Sequence, residues 1–131
     1  MARTHILSGY PFEDTYGYAR AIRVGNQVFV SGTTARPPHL YSDAYDQMTA
    51  AAAIITDALR DLGAGLRHVV RTVIYVIDVA DAPEVARAHA KAFGVARPAS
   101  TLVQVAALTP ASARIEIEVT AIIDDEAATS A

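Results

Sequence analysis

A chain of 131 residues, 52% of them apolar, with a formal charge of −3, suits one compact domain, 1–131, and holds more apolar surface than a small monomer needs to hide. The mild acidity and the lack of a basic stripe exclude nucleic acid as the default partner; the absence of cysteine excludes disulfides, thiolate catalysis and cysteine-based metal centres together. The chain does not open on a signal-peptide pattern and no uncharged apolar stretch reaches about 18 residues, so a cytoplasmic protein without membrane contact is expected.

Residues 5–8 (HILS) read as a short first strand, and 9–16 as a turn-rich stretch holding Pro11, Glu13 and Asp14. Two β-rich runs, 20–24 and 27–31, flank Gly25 and Asn26, a two-residue loop that favours positive φ and a tight hairpin. Ser31 and Gly32 close the second run, where backbone can approach another group closely. Residues 33–42, with two adjacent prolines, form a loop, after which Ser42 or Asp43 caps a long helix. Along it Tyr45, Met48, Ala52, Ile55, Leu59 and Leu62 recur on one face until Gly63 and Gly65 stop it. Residues 69–77 (VVRTVIYVI) are nearly continuously apolar, the pattern of a strand buried on both faces.

A second helix starts at Asp81 or Ala82 with Pro83 in its first turn and ends at Gly94. Strands near 100–107 and 114–123 follow, separated by a turn, and 124–131 read as a frayed tail. The order β-β-β-α-β-α-β-β predicts an α+β sandwich, one sheet with two helices on a single face. Part of the apolar surplus is expected between subunits.

The last strand, ARIEIEVTAII, alternates cleanly: Ile115, Ile117, Val119 and Ala121 on one face, Arg114, Glu116, Glu118 and Thr120 on the other. Glu116 is a candidate general base if desolvation raises its pKa, or else a solvated glutamate paired with Arg114 or Arg71. Tyr18 and Arg20, on one face of a strand, could hold a carboxylate or oxyanion between them. Ser100 lacks a nucleophile-elbow motif, and a partnership with His89 and an acid would need the tertiary fold. The four histidines, at 5, 39, 68 and 89, share no ligand spacing, so no metal is expected. The GAGLRH stretch at 63–68 follows a helix rather than a strand and is no phosphate loop.

Taken together and in order, GYARAIRVGNQVFVSG (17–32), DLGAGLRHVVRTVIYVID (61–78), DAPEVARAHAKAFG (81–94), RPASTLVQVAAL (97–108) and RIEIEVTA (114–121) resemble the Rid family, the YjgF-type reactive intermediate deaminases once called endoribonuclease L-PSP proteins. The resemblance implies a chorismate-mutase-like α+β fold, one mixed sheet with two helices on one face. It also implies a homotrimer with a barrel-like core and a cleft between each pair of neighbouring subunits. Archetypal members hydrolyse enamines and imines to 2-keto acids and ammonia without a cofactor. The family tyrosine falls on Tyr18, with Arg20 where glutamine is usual; the strand-end Ser-Gly falls on Ser31 and Gly32. The water-positioning glutamate falls on Glu116. The P-A-R-S signature falls on Pro98, Ala99, Ser100 and Thr101, so Ser100 stands where an arginine grips the substrate carboxylate.

Replacing such a bidentate partner by one hydroxyl typically costs about 2–5 kcal/mol, and the ordinary 2-imino acids should bind badly. Arg20, Arg87, His89 and Arg97 are candidates to supply the missing recognition. The expectation is therefore a Rid-type hydrolase or deaminase of altered range, acting on an imine, enamine or related small metabolite in an inter-subunit cleft. Glu116, Tyr18, Ser100 and Thr101 would carry the chemistry; Arg20, Ser31, Gly32, Arg87, His89 and Arg97 would bind the substrate. The alternative is a non-catalytic trimer that binds a small metabolite or a partner protein, and an RNase role is third, disfavoured by the charge.

Overall fold

The computed structural model of the protein describes residues 2–124. Six strands within that span, β1 (Arg3–Ile6), β2 (Ala21–Val24), β3 (Gln27–Thr33), β4 (Val69–Val76), β5 (Ala99–Gln104) and β6 (Ile115–Ile122), form one sheet. Their spatial order is β1-β2-β3-β6-β4-β5, with β4 and β5 parallel and every other neighbouring pair antiparallel. Helices α1 (Pro11–Tyr16), α2 (Ala44–Asp61) and α3 (Ala82–Phe93) complete the fold. It is the mixed α+β architecture expected, and the hairpin joining β2 to β3 turns at Gly25, which adopts φ 61°.

The core lies between one face of the sheet and the two long helices. Asp43 caps α2 by accepting a hydrogen bond from the Asp46 N–H at 2.9 Å. The helix then buries Met48, Ala52, Ile55 and Leu59, as its periodicity predicts, while Tyr45 is only partly covered. From α3 come Val85, Ala88 and Phe93. The alternation of β6 is realised in full: Ile115, Ile117, Val119 and Ala121 all join this core.

Three local expectations are corrected. The first strand lies at Arg3–Ile6, not 5–8, and much of the turn-rich stretch is helix α1. Its Pro11 occupies the first turn, where no N–H is needed, and Glu13 and Asp14 favour the helix N-terminus. The expectation that β4 is buried on both faces also fails within one chain: Thr72, Ile74 and Val76 are buried, whereas Arg71 is exposed and Val73 and Tyr75 are half-exposed. Among the described residues the outer face of the sheet carries no long helix, and there Phe29 and Val103 each stay 41% exposed. Residues 125–131, most of the expected tail, lie outside the described residues. Among the described residues no helix is long and apolar enough to cross a membrane.

Candidate active site

The β3–β6 pairing changes register between Val30, opposite Val119, and Thr33, opposite Ile117. Two residues on β3, Ser31 and Gly32, thus face one on β6, the extra residue of a β-bulge. Both Val30 and Thr33 then point into the core. Ser31 ties the bulge down by donating to the Ala19 carbonyl at 2.7 Å. Gly32 leaves a space that the Glu116 carboxylate fills, because a Cβ at position 32 would stand 2.6 Å from Glu116 Oε2. Only glycine admits the carboxylate here.

Glu116 accepts no hydrogen bond from the described residues. Neither Arg114, bound to Asp81 at 2.7 Å, nor Arg71, opposite Thr120, is its partner. Burial, reinforced by the charge of Glu118, pushes the Glu116 carboxyl above its ordinary value; the Arg20 and Arg36 guanidinium charges act in the opposite sense. A half-buried carboxylate without a donor has free lone pairs for a water or an exchangeable proton.

Tyr18 and Arg20 lie just before β2, not on a strand, and Arg20 is 1% exposed. Its guanidinium donates to Glu13 at 3.1 Å, to the Gly32 carbonyl and Thr33 Oγ1 at 2.8 Å, and to the Tyr18 hydroxyl at 3.2 Å. Arg20 is thus a buried structural cation beneath the bulge, contrary to its expected role in gripping a substrate. Because the Tyr18 oxygen accepts from Arg20, its own O–H is left to donate elsewhere. Burial alone would raise the Glu13 carboxyl, but hydrogen bonds from Ser8 and Arg20 outweigh it and hold the group below its ordinary value. Arg36, which sequence reasoning missed, lies 3.5 Å over the Tyr10 ring and donates to Thr34, while its second terminal nitrogen is buried without a partner among the described residues. It sits in the loop after β3, where no periodicity marks one arginine above another.

The remaining candidates gather elsewhere. Ser100 stands opposite the buried Thr72 on the parallel β4–β5 ladder, and Thr72 Oγ1 lies 2.7 Å from Ser100 Oγ and 2.8 Å from His89 Nε2. Thr72 and Tyr75 are three residues apart and so point to opposite faces, and Tyr75 is opposite Glu116. Ser100 therefore shares the helix-side face with His89, while Thr101, opposite Val73, is on the outer face with Glu116. Arg87 binds Glu84 at 2.5 Å and lies 4.9 Å over the Tyr45 ring, so it leans toward α2 and not toward Ser100. Arg97 is exposed and holds φ 51°, a strained value for a non-glycine residue, directly before Pro98. One chain thus carries two separate groups, Tyr18–Gly32–Glu116 and Thr72–His89–Ser100. A cavity of about 570 Å³ flanks the first, lined in part by Glu13, Tyr18 and Ser31. Another of about 680 Å³, walled by Leu40, Tyr41, Leu108 and Arg114, adjoins neither group.

The family model described as Endoribonuclease L-PSP matches residues 12–123. An uncharacterized Streptomyces coelicolor protein is 34% identical over 119 residues, which cover 88% of this chain and 89% of that one. The chloroplastic Reactive Intermediate Deaminase A of Arabidopsis thaliana is 36% identical over 77% of this chain, a match that spans 56% of the plant protein. A crystal structure from Mycobacterium tuberculosis, described as a member of the highly conserved YjgF family, superposes with a TM-score of 0.87 at 42% identity. It covers 93% of this chain and 100% of that one.

Proposed function

This chain belongs to the Endoribonuclease L-PSP family, the YjgF-type or Rid proteins, and we propose that it is a cofactor-independent hydrolase of an imine, enamine or related small metabolite. The carrying observation is the Glu116 carboxylate, seated against Gly32, without a hydrogen-bond donor among the described residues and raised by burial. Glu116 takes a proton from water as the oxygen adds to the C=N carbon. The resulting carbinolamine loses ammonia and leaves a carbonyl, so water and imine balance ketone and ammonia. The Tyr18 O–H, left free by Arg20, donates to the reacting group as charge develops on it.

The uncovered outer face of the sheet supports assembly as a homotrimer, in which a neighbouring subunit would bring its Ser100 side to the Glu116 side. That arrangement would unite the two groups that one chain holds apart. The test is ammonia release from imines that carry no carboxylate, generated in place from primary amines by a flavin amine oxidase. The wild type should accelerate it, and Glu116→Gln should remove the acceleration by about 100-fold or more. Unchanged ammonia release in the Glu116→Gln protein would overturn the assignment and favour a binding protein without turnover.

A further inference from the structure

The hydroxyl of Ser100 is not an isolated surface group. It ends a chain of three side chains running inward from the exposed edge of β5: Ser100, then Thr72, then His89. Thr72 is fully buried and His89 half-buried, its ring 5.0 Å from that of Phe93. A threonine hydroxyl has one proton. As Thr72 donates it to Ser100, Thr72 itself accepts from His89 Nε2–H, and the Ser100 proton is left to be donated to another group. Both hydrogen bonds then run in one direction, toward whatever meets the β5 edge. Such a chain polarises its members and fixes the last one as a donor.

We propose that Ser100, Thr72 and His89 form an uncharged donor subsite that selects ligands carrying a neutral carbonyl, such as a carboxamide or ester, over those carrying a free carboxylate. The inference rests on the reading that Ser100 lines the ligand cleft, and it names the class of ligand that cleft takes. A carboxylate entering a partly desolvated site loses its hydration and needs a cation or several donors in exchange. This subsite offers one neutral donor. Burial pushes the His89 imidazole below its ordinary value, so the chain is uncharged near neutral pH. The nearby cations do not replace the charge: Arg87 is held by Glu84, and Arg71, opposite Ala99, points to the other face of the sheet. Arg97 is the exposed cation that remains, three residues before Ser100. Thr72 and His89 act here as positioning residues, through Ser100.

Two probes of equal size, pyruvamide and pyruvate, separate the cases by NMR titration of the full-length protein at pH 7.5. The wild type should bind pyruvamide about tenfold more tightly than pyruvate, and Ser100→Arg should reverse the order. Thr72→Val should abolish the preference while Thr72→Ser restores it, an outcome that a merely structural role for Thr72 would not produce. Tighter binding of pyruvate by the wild type, binding of neither probe, or a preference that persists in Thr72→Val would overturn the proposal. Loss of pyruvate binding in Arg97→Ala would overturn it too, by assigning the carboxylate to Arg97. Because both probes are already carbonyl compounds, the measurement does not depend on turnover. Failure of the hydrolase reading appears separately, in ammonia release.

Discussion

Glu116 owes its chemical character to four neighbours: Gly32 admits it, Glu118 repels its charge, and Arg20 and Arg36 restrain that repulsion. A general base must be ionised, so activity should appear as pH rises through the elevated value of this carboxyl. Glu118→Gln removes a like charge and should move the acid limb of the kcat/KM profile to lower pH; Arg36→Gln removes a cation and should move it to higher pH. Gly32→Ala tests the close approach. The atom it meets is the far end of a glutamate side chain, so the fold should survive with a small change in Tm. The displaced carboxylate should cost activity by about 100-fold. Glu116 itself was legible from the strand alternation. Arg36 was not, because its effect is a distance across the fold, from the loop after β3 to a strand some eighty positions on.

The short helix α1 is an element whose existence depends on one buried pair. Six residues form a marginal helix in isolation. Here Glu13, 2% exposed, meets Arg20, 1% exposed, and Ser8 adds its N–H and hydroxyl to the same carboxylate. Arg20→Met would leave that carboxylate buried beside one hydroxyl and one amide, a loss of about 3–5 kcal/mol that thermal or urea unfolding would read. The pair also sets an acid sensitivity. The Glu13 carboxyl is held below its unfolded value of about 4.3, so its contribution is present above that pH and is lost as pH falls through the depressed folded value. Glu13→Gln should flatten stability across this acid window while lowering it near neutrality. Sequence periodicity had nothing to report for 9–16, since the helix answers to Arg20 and not to an apolar stripe.

At the scale of the molecule, the sheet has one face covered by α2 and α3 and another that leaves Phe29 and Val103 half-exposed. Covering that face by neighbouring copies is what a trimer would do, and Phe29→Lys should lower the mass seen by light scattering toward that of the monomer. A composite cleft makes a second prediction. Glu116→Gln and Ser100→Trp chains, each inactive alone, should regain activity when refolded together. At random mixing about a quarter of the clefts join an intact Glu116 side to an intact Ser100 side. No recovery would mean that each chain carries its own complete site.

The sequence by itself determined the class of fold, the faces of α2 and β6, the hairpin at Gly25 and the family, because each rests on a local period, a turn residue or an ordered set of motifs. Only the tertiary structure decided which candidate residues meet. The β-bulge after Val30 and the bond from Arg20 to Tyr18 bring the Glu116 group together, while the parallel ladder turns Ser100 away from Glu116 toward Thr72 and His89. Two adjacent residues on a strand, Ser100 and Thr101, end on opposite faces, and which face is which follows from the register of the strand beside them.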